Sequence, residues 1–133
     1  MKKTLFLAIA LLVSGAASAA TDHYVLRDGN HVRHLKVTKV AGEVNISADV
    51  DFEPAADDKG KHACSADISG EAKAASATEL LLKKQIPGEA HYCSLKVQLT
   101  PEGAKIEQSE ECNYFAAGNC HFNTDGKELL KVK

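Results

Sequence analysis

The stretch EVNISADVDF, residues 43–52, decides the fold. Val44, Ile46, Ala48, Val50 and Phe52 are apolar, and Asn45, Ser47, Asp49 and Asp51 between them are polar. A period of two puts one set on a buried face and the other in water, the pattern of a half-buried β-strand. Upstream, residues 32–40 are rich in β-branched side chains, and Ala41-Gly42 separates the two segments, so the pair reads as a hairpin. Downstream, residues 53–61 hold Pro54, Asp57, Asp58 and Gly60, a loop composition.

The same alternation returns twice. Cys64, Ala66, Ile68 and Gly70 alternate with Ser65, Asp67 and Ser69, and Cys93, Leu95, Val97 and Leu99 alternate with Ser94, Lys96 and Gln98. Thr100-Pro101-Glu102-Gly103 carries turn chemistry, with Pro supplying φ near −65° and Gly tolerating positive φ. Residues 104–111 are expected to return antiparallel to residues 93–99. The segment between, EAKAASATELLLKKQI at 71–86, has two readings. Its Ala, Leu, Lys and Glu content suits a short helix stopped by Pro87-Gly88. Its neighbours instead suit a continuous meander, with a turn at 75–78 and a strand at 79–84. The fold expected is mainly β: one antiparallel meander, barrel-like or in two sheets, with a possible short helix around 71–86.

Residues 1–19 read as a secretory signal. Lys2 and Lys3 precede an apolar run, residues 5–13, too short to span a bilayer, and Ala17-Ser18-Ala19 offers small residues for cleavage. One disulfide-stapled domain, residues 20–133, then remains, with periplasmic or secreted localisation. No second stretch is long and apolar enough for a membrane span. The whole chain carries 16 basic and 18 acidic residues; without Lys2 and Lys3 the formal balance falls from −2 to −4. That balance argues against nucleic acid as a partner, because phosphate binding needs a basic surface. Trp is absent and the chain has only seven Phe and Tyr residues, so covalent staples matter to a core poor in large side chains.

An oxidising compartment commits Cys64, Cys93, Cys112 and Cys120 to two disulfides. Strand parity places Cys64 with Ala66 and Ile68, Cys93 with Leu95 and Val97, and Cys120 with Phe122. Cys112 keeps the parity of Ala104 and Ile106 if that strand runs so far. The expected hairpin register sets Cys93 opposite residue 110 or 111, which slightly favours Cys93–Cys112 with Cys64–Cys120 over the alternatives. His62, His91 and His121 lie close to cysteines, yet no C-x-x-C spacing occurs, so no metal ligands and no cofactor are assigned. His31 and His34, three apart at a strand start, face opposite ways; with His23 they read as surface residues. The Asn45-Ile46-Ser47 sequon lies within a strand behind a bacterial-looking signal and is set aside.

The chain reads as a binder rather than an enzyme. The cysteines are bridged, Ser69-Gly70 lacks the context of a nucleophile elbow, and the pairs Asp57/Asp58 and Glu110/Glu111 sit in solvated loops. Residues 113–119 form a loop between the last two cysteines, with Tyr114 and Phe115 adjacent. Either an exposed aromatic there anchors a partner, or one of the two plugs the open end of the sheet.

Residues 35–132 resemble a group of small exported bacterial proteins. The matching parts are H-x-C-x-x-x-x-S-G-E-A from His62 to Ala72, C-x-L-x-V from Cys93 to Val97, and C…C-x-F-x-x-x-G from Cys112 to Gly126. Some members of that group are similar to periplasmic lysozyme inhibitors, small β-barrels or paired sheets that insert a loop into the lysozyme cleft. The resemblance implies a partner such as a lytic enzyme, or an effector if the chain is an immunity protein. Ser69-Gly70 is similar to a Ser-Gly motif of such inhibitors, although Ala72 and Lys73 follow where an aromatic is expected. A glycosidase with two catalytic carboxylates would be met by a donor such as Ser69 or Lys73. The partner-binding candidates are therefore Ser69, Lys73, Tyr114 and Phe115. The alternative function is a periplasmic small-ligand or metal-binding protein.

Overall fold

Ala41 and Gly42 both have positive φ, 49° and 86°, as the mirror-image two-residue hairpin turn requires for its twist to match the strands. This turn sets β2 (His31–Val40) against β3 (Glu43–Phe52), paired without a break from Val40↔Glu43 to His31↔Phe52. A computed structural model, which describes residues 20–54, 63–116 and 120–132, continues this pairing around a closed barrel. The remaining strands are β1 (Ala20–Asp28), β4 (Cys64–Ser76), β5 (Glu79–Gln85), β6 (Tyr92–Leu99), β7 (Gly103–Gln108) and β8 (Leu129–Lys131). Each is antiparallel to the next, and β8 returns to β1. Residues 1–19, expected as a signal, residues 55–62, including His62, Asp57 and Asp58, and residues 117–119 of the last inter-cysteine loop lie outside the described residues.

The period of two becomes inside and outside. Leu35 and Val37 from β2, Ile46 and Val50 from β3, Leu82 from β5 and Leu95 and Val97 from β6 are all at most 2% exposed and meet along the axis. An interior of eight strands is just wide enough for side chains to fill. The outer face instead carries Lys36, Asp49, Asp67, Lys73, Lys83 and Lys96. Apolar inside and charged outside is the reverse of a lipid-facing barrel. No helix among the described residues is long and apolar enough to cross a membrane.

Residues 71–86 are strand, not helix. β4 runs on to Ser76, a bulge lies between Ala74 and Ser76, Ala77-Thr78 turn, and β5 follows. The reason is tertiary: Ala72, Leu80 and Leu82 alternate into the core, whereas a helix would leave β3 and β6 with bare edges. The strand expected over 104–111 stops sooner, at Gln108. There the backbone leaves the ladder: the Gln108 N–H donates to Asn123 Oδ1 (2.6 Å), and Ser109 exchanges bonds with Ser94. A 3-10 helix, Glu110–Tyr114, follows. It still buries Cys112, which bridges to Cys93 (Cα–Cα 4.4 Å), while Cys64 bridges to Cys120 (6.2 Å). This is the favoured pairing, although Cys112 reaches its place from a helical turn and not from a strand.

Two strands carry no sequence signal. β1 holds Tyr24 in the core, and β8 closes the barrel with only three residues. Beyond the reach of β8, Thr124 takes over the ladder: its N–H donates to Ile106 O (3.0 Å) and its Oγ1 accepts from the Ile106 N–H (3.2 Å).

Candidate functional site

With the axis occupied by side chains, chemistry has to be sought on the outside. β4 contributes Ser69 and Lys73. Odd positions of this strand point outward, so both are exposed, and a four-residue step separates them by about 13 Å. Ser69 lies across from Ser47 in a shallow depression of about 310 Å³ that also takes in Lys36 and Asn45. Its carbonyl accepts a hydrogen bond from Lys84 Nζ (3.2 Å). Lys73 lies across from Leu81, beside Glu71 and Lys83. Among the described residues Lys73 forms no ion pair, whereas Lys96 on β6 is held between Glu79 (4.0 Å) and Glu107 (3.7 Å). Both candidates therefore stand on a rigid strand and not on a loop tip.

Tyr114 and Phe115 divide the two roles that the sequence leaves open. Phe115 packs partly buried against the core, and Tyr114 is 59% exposed. Their rings meet edge to face, centroids 5.2 Å apart, which rests the exposed ring on a partly buried one. The turn that carries them is closed by Phe115 N–H and Ala116 N–H donating to Cys112 O (2.9 and 2.8 Å). Through Cys112 it is bridged to β6. One residue before Cys93, Tyr92 points outward and is 48% exposed. Tyr92 and Tyr114 thus lie one and two residues from the two cysteines of one buried disulfide. Tyr92 carries no local sequence signal, since the cysteine that ties its strand to the Tyr114 turn is nineteen positions from Cys93. β5 lies between the β4 candidates and β6, so Ser69 and Lys73 do not form a single patch with Tyr114.

A second group lies on the outer face of β1–β4. His23, His34, Lys36, Asp49, Asp51 and Asp67 line a depression of about 490 Å³. His23 Nε2 and His34 Nδ1 are 3.0 Å apart, with rings stacked at 5.2 Å. Burial pushes the His23 imidazole below its ordinary pKa, His34 and Lys36 add to the effect, and Asp49 opposes it. Burial likewise raises the Asp49 carboxyl. Asp51 and Asp67 repel it further, against the attraction of His34 and Lys36. As the sequence indicates, His31 faces the other way and stacks on Phe52 (4.4 Å). His121, next to the bridged Cys120, bonds Asp125 (3.0 Å) and lies 3.4 Å from Arg33. No family model, curated protein or solved structure matches the chain.

Proposed function

We propose that this chain is an exported protein-binding barrel whose partner is a lysozyme-like cell-wall lytic enzyme. The observation that carries the reading is that the exposed Tyr92 and Tyr114 each adjoin a cysteine of the Cys93–Cys112 bridge, one and two residues away. Exposed tyrosines held by a disulfide and by an edge-to-face contact lose little entropy on docking, and Tyr is among the residues that dominate interface energies. The side-chain-filled axis supports a surface function over a luminal ligand. The resemblance at His62–Ala72 supports a muramidase as partner, and Lys73, in no ion pair among the described residues, supplies a cation for a cleft built around two carboxylates.

The test is a muramidase panel titrated with the oxidised, exported chain. Inhibition at near-stoichiometric protein is expected for at least one enzyme. Tyr114→Ala should weaken it by about 2 kcal/mol, roughly thirtyfold, as a central anchor does. Lys73→Ala should weaken it less and in a salt-dependent way. No inhibition and no capture across the panel would retire the reading.

A further inference from the structure

The docking reading leaves the His23–His34–Asp49 group unused. His23 on β1 sits across from Lys36, and His34 on β2 sits across from Val25, so the two imidazoles approach along a diagonal of the β1–β2 pair. Their facing nitrogens, His23 Nε2 and His34 Nδ1, are hydrogen-bonded at 3.0 Å. A bond between two ring nitrogens needs one N–H and one lone pair, so the accepting ring is neutral. On its other side His34 faces Asp49 of β3 directly. Asp49 Oδ1 is buried and has no hydrogen-bond partner. His34 thus stands between a neighbour it bonds and a neighbour it leaves bare.

Protonation reverses that choice. A further proton, taken from solvent by the accepting ring, removes the lone pair on which the bond depends and leaves two N–H groups facing each other. Lys36 borders the same depression and disfavours the added charge. The countercharge lies on the opposite side, in Asp49, with Asp51 beside it on β3 and Asp67 on β4. On β1, Asp22 is already paired with Lys131 of β8 (3.3 Å). The pKa directions agree with this layout. Burial holds His23 low, with His34 and Lys36 adding to the effect, and burial holds Asp49 high. The neutral pair resists a proton, and the carboxyl beside it lacks a counterion until one arrives.

We propose that His34 is a two-position proton switch: while both rings are neutral it bonds His23 across β1–β2, and once the pair takes up a proton it turns to Asp49 across β2–β3. Its place beside Asp49 selects His34 as the ring that keeps the charge. The exchange breaks one N–H···N bond and forms one charge-assisted N–H···O bond to the oxygen now left bare. It also releases the His23 ring, on the residue whose carbonyl accepts from the Val132 N–H (2.7 Å) just past the closing strand β8. The switch therefore acts on the outer face and beside the barrel seam together, in the pH range where histidine titrates.

The test is nitrogen NMR of the histidine rings and carbon NMR of the aspartate carboxyls, on the exported chain between about pH 8 and about pH 5. At the upper limit a scalar coupling between His23 Nε2 and His34 Nδ1 should report the bond. On acidification the coupling should vanish, and the Asp49 carboxyl carbon should shift over the same range. In Asp49→Asn the coupling should persist to lower pH, because the protonated ring has lost its carboxylate. His34→Gln should move the His23 titration upward, toward the ordinary imidazole value. An unchanged melting temperature verifies that each outer-face variant keeps the barrel, and the two readings on the parent chain need no variant. A coupling lost at the same pH in Asp49→Asn as in the parent would overturn the switch. So would an Asp49 carboxyl that does not respond to the histidine titration, or the absence of coupling at neutral pH. No partner takes part in the measurement, so failure here leaves the docking reading standing.

Discussion

Arg33 is the residue whose position is hardest to reconcile with its chemistry. It points into the end of the barrel at 5% exposure, and its Nε has no hydrogen-bond partner. Burial pushes its pKa below the usual guanidinium value, with Asp125 and Asp28 opposing. One Nη stands 3.4 Å from His121 Nε2, and His121 is in turn bonded to Asp125. A buried charge with incomplete partners costs more than an apolar group of similar volume. Arg33→Met should therefore leave stability unchanged or raise it by about 1 kcal/mol, and urea unfolding followed by far-UV circular dichroism measures this. A loss of more than that amount would show that Arg33 holds the end of the barrel together. Asp28 behaves in the opposite way. Its carboxyl lies below the ordinary value because Lys127 Nζ hydrogen-bonds to it at 2.6 Å. With the folded pKa lowered, the stabilisation is present above the unfolded pKa and disappears as pH falls through the folded one. Lys127→Ala should move the Asp28 titration, followed by carbon NMR, upward toward the ordinary value. The stability difference between the two proteins should vanish at acid pH.

At the scale of elements, the barrel is weakest at its seam. β8 pairs with β1 only at Tyr24↔Lys131 and Val25↔Leu130, and with β7 only at Gly103↔Leu130 and Ala104↔Leu129. Gly103 permits the approach: a Cβ there would lie 1.7 Å from the Leu129 carbonyl oxygen, a backbone atom that cannot step aside. Gly103→Ala should thus push β8 off β7 and cost about 3 kcal/mol, the upper end for overpacking. Hydrogen exchange should show the amides of Leu129–Lys131 losing protection before those of β2 and β3. Uniform loss across all strands would refute a local seam. The same elements mark where the sequence is legible. β3, the first half of β4 and β6 declare themselves because an apolar set faces one way and a polar set the other, and β2 by its β-branched content beside the Ala41-Gly42 turn. β1 hides, since its inward positions are Asp22, Tyr24, Leu26 and Asp28, and only two of the four are apolar. β8 is too short to show any period. Residues 71–86 stay ambiguous locally because their Ala, Leu, Lys and Glu content favours helix while their neighbours call for strand, and the choice is made by the two strand edges they cover.

For the whole molecule, the two disulfides should have separable jobs, and the separation tests the proposed function. Cys64–Cys120 spans 56 residues and fastens the segment leading to β8 onto the start of β4. Cys93–Cys112 spans only 19 and fastens the rim turn to β6, where the β6–β7 ladder already holds the chain. On chain entropy alone the two closures stabilise by about 4 and about 3 kcal/mol. The first should cost more than this when removed, because the short closing strand is freed with it. Cys64→Ala/Cys120→Ala should accordingly unfold at much lower urea than Cys93→Ala/Cys112→Ala. Binding should rank them the other way at temperatures where both are folded: loss of the rim bridge frees the turn that carries Tyr114 from β6 and should weaken muramidase inhibition, whereas loss of the longer bridge should leave it intact. Only part of this site was legible in the sequence. Tyr114, Phe115, Ser69 and Lys73 stand out by type and local context, but Tyr92 is tied to the Tyr114 turn only through the Cys93–Cys112 bridge, and His23, His34 and Asp49 become neighbours only through strand register. If both disulfide variants lose inhibition in proportion to their stability, the rim is a structural corner, and the docking surface must be sought on the β4 face around Ser69 and Lys73.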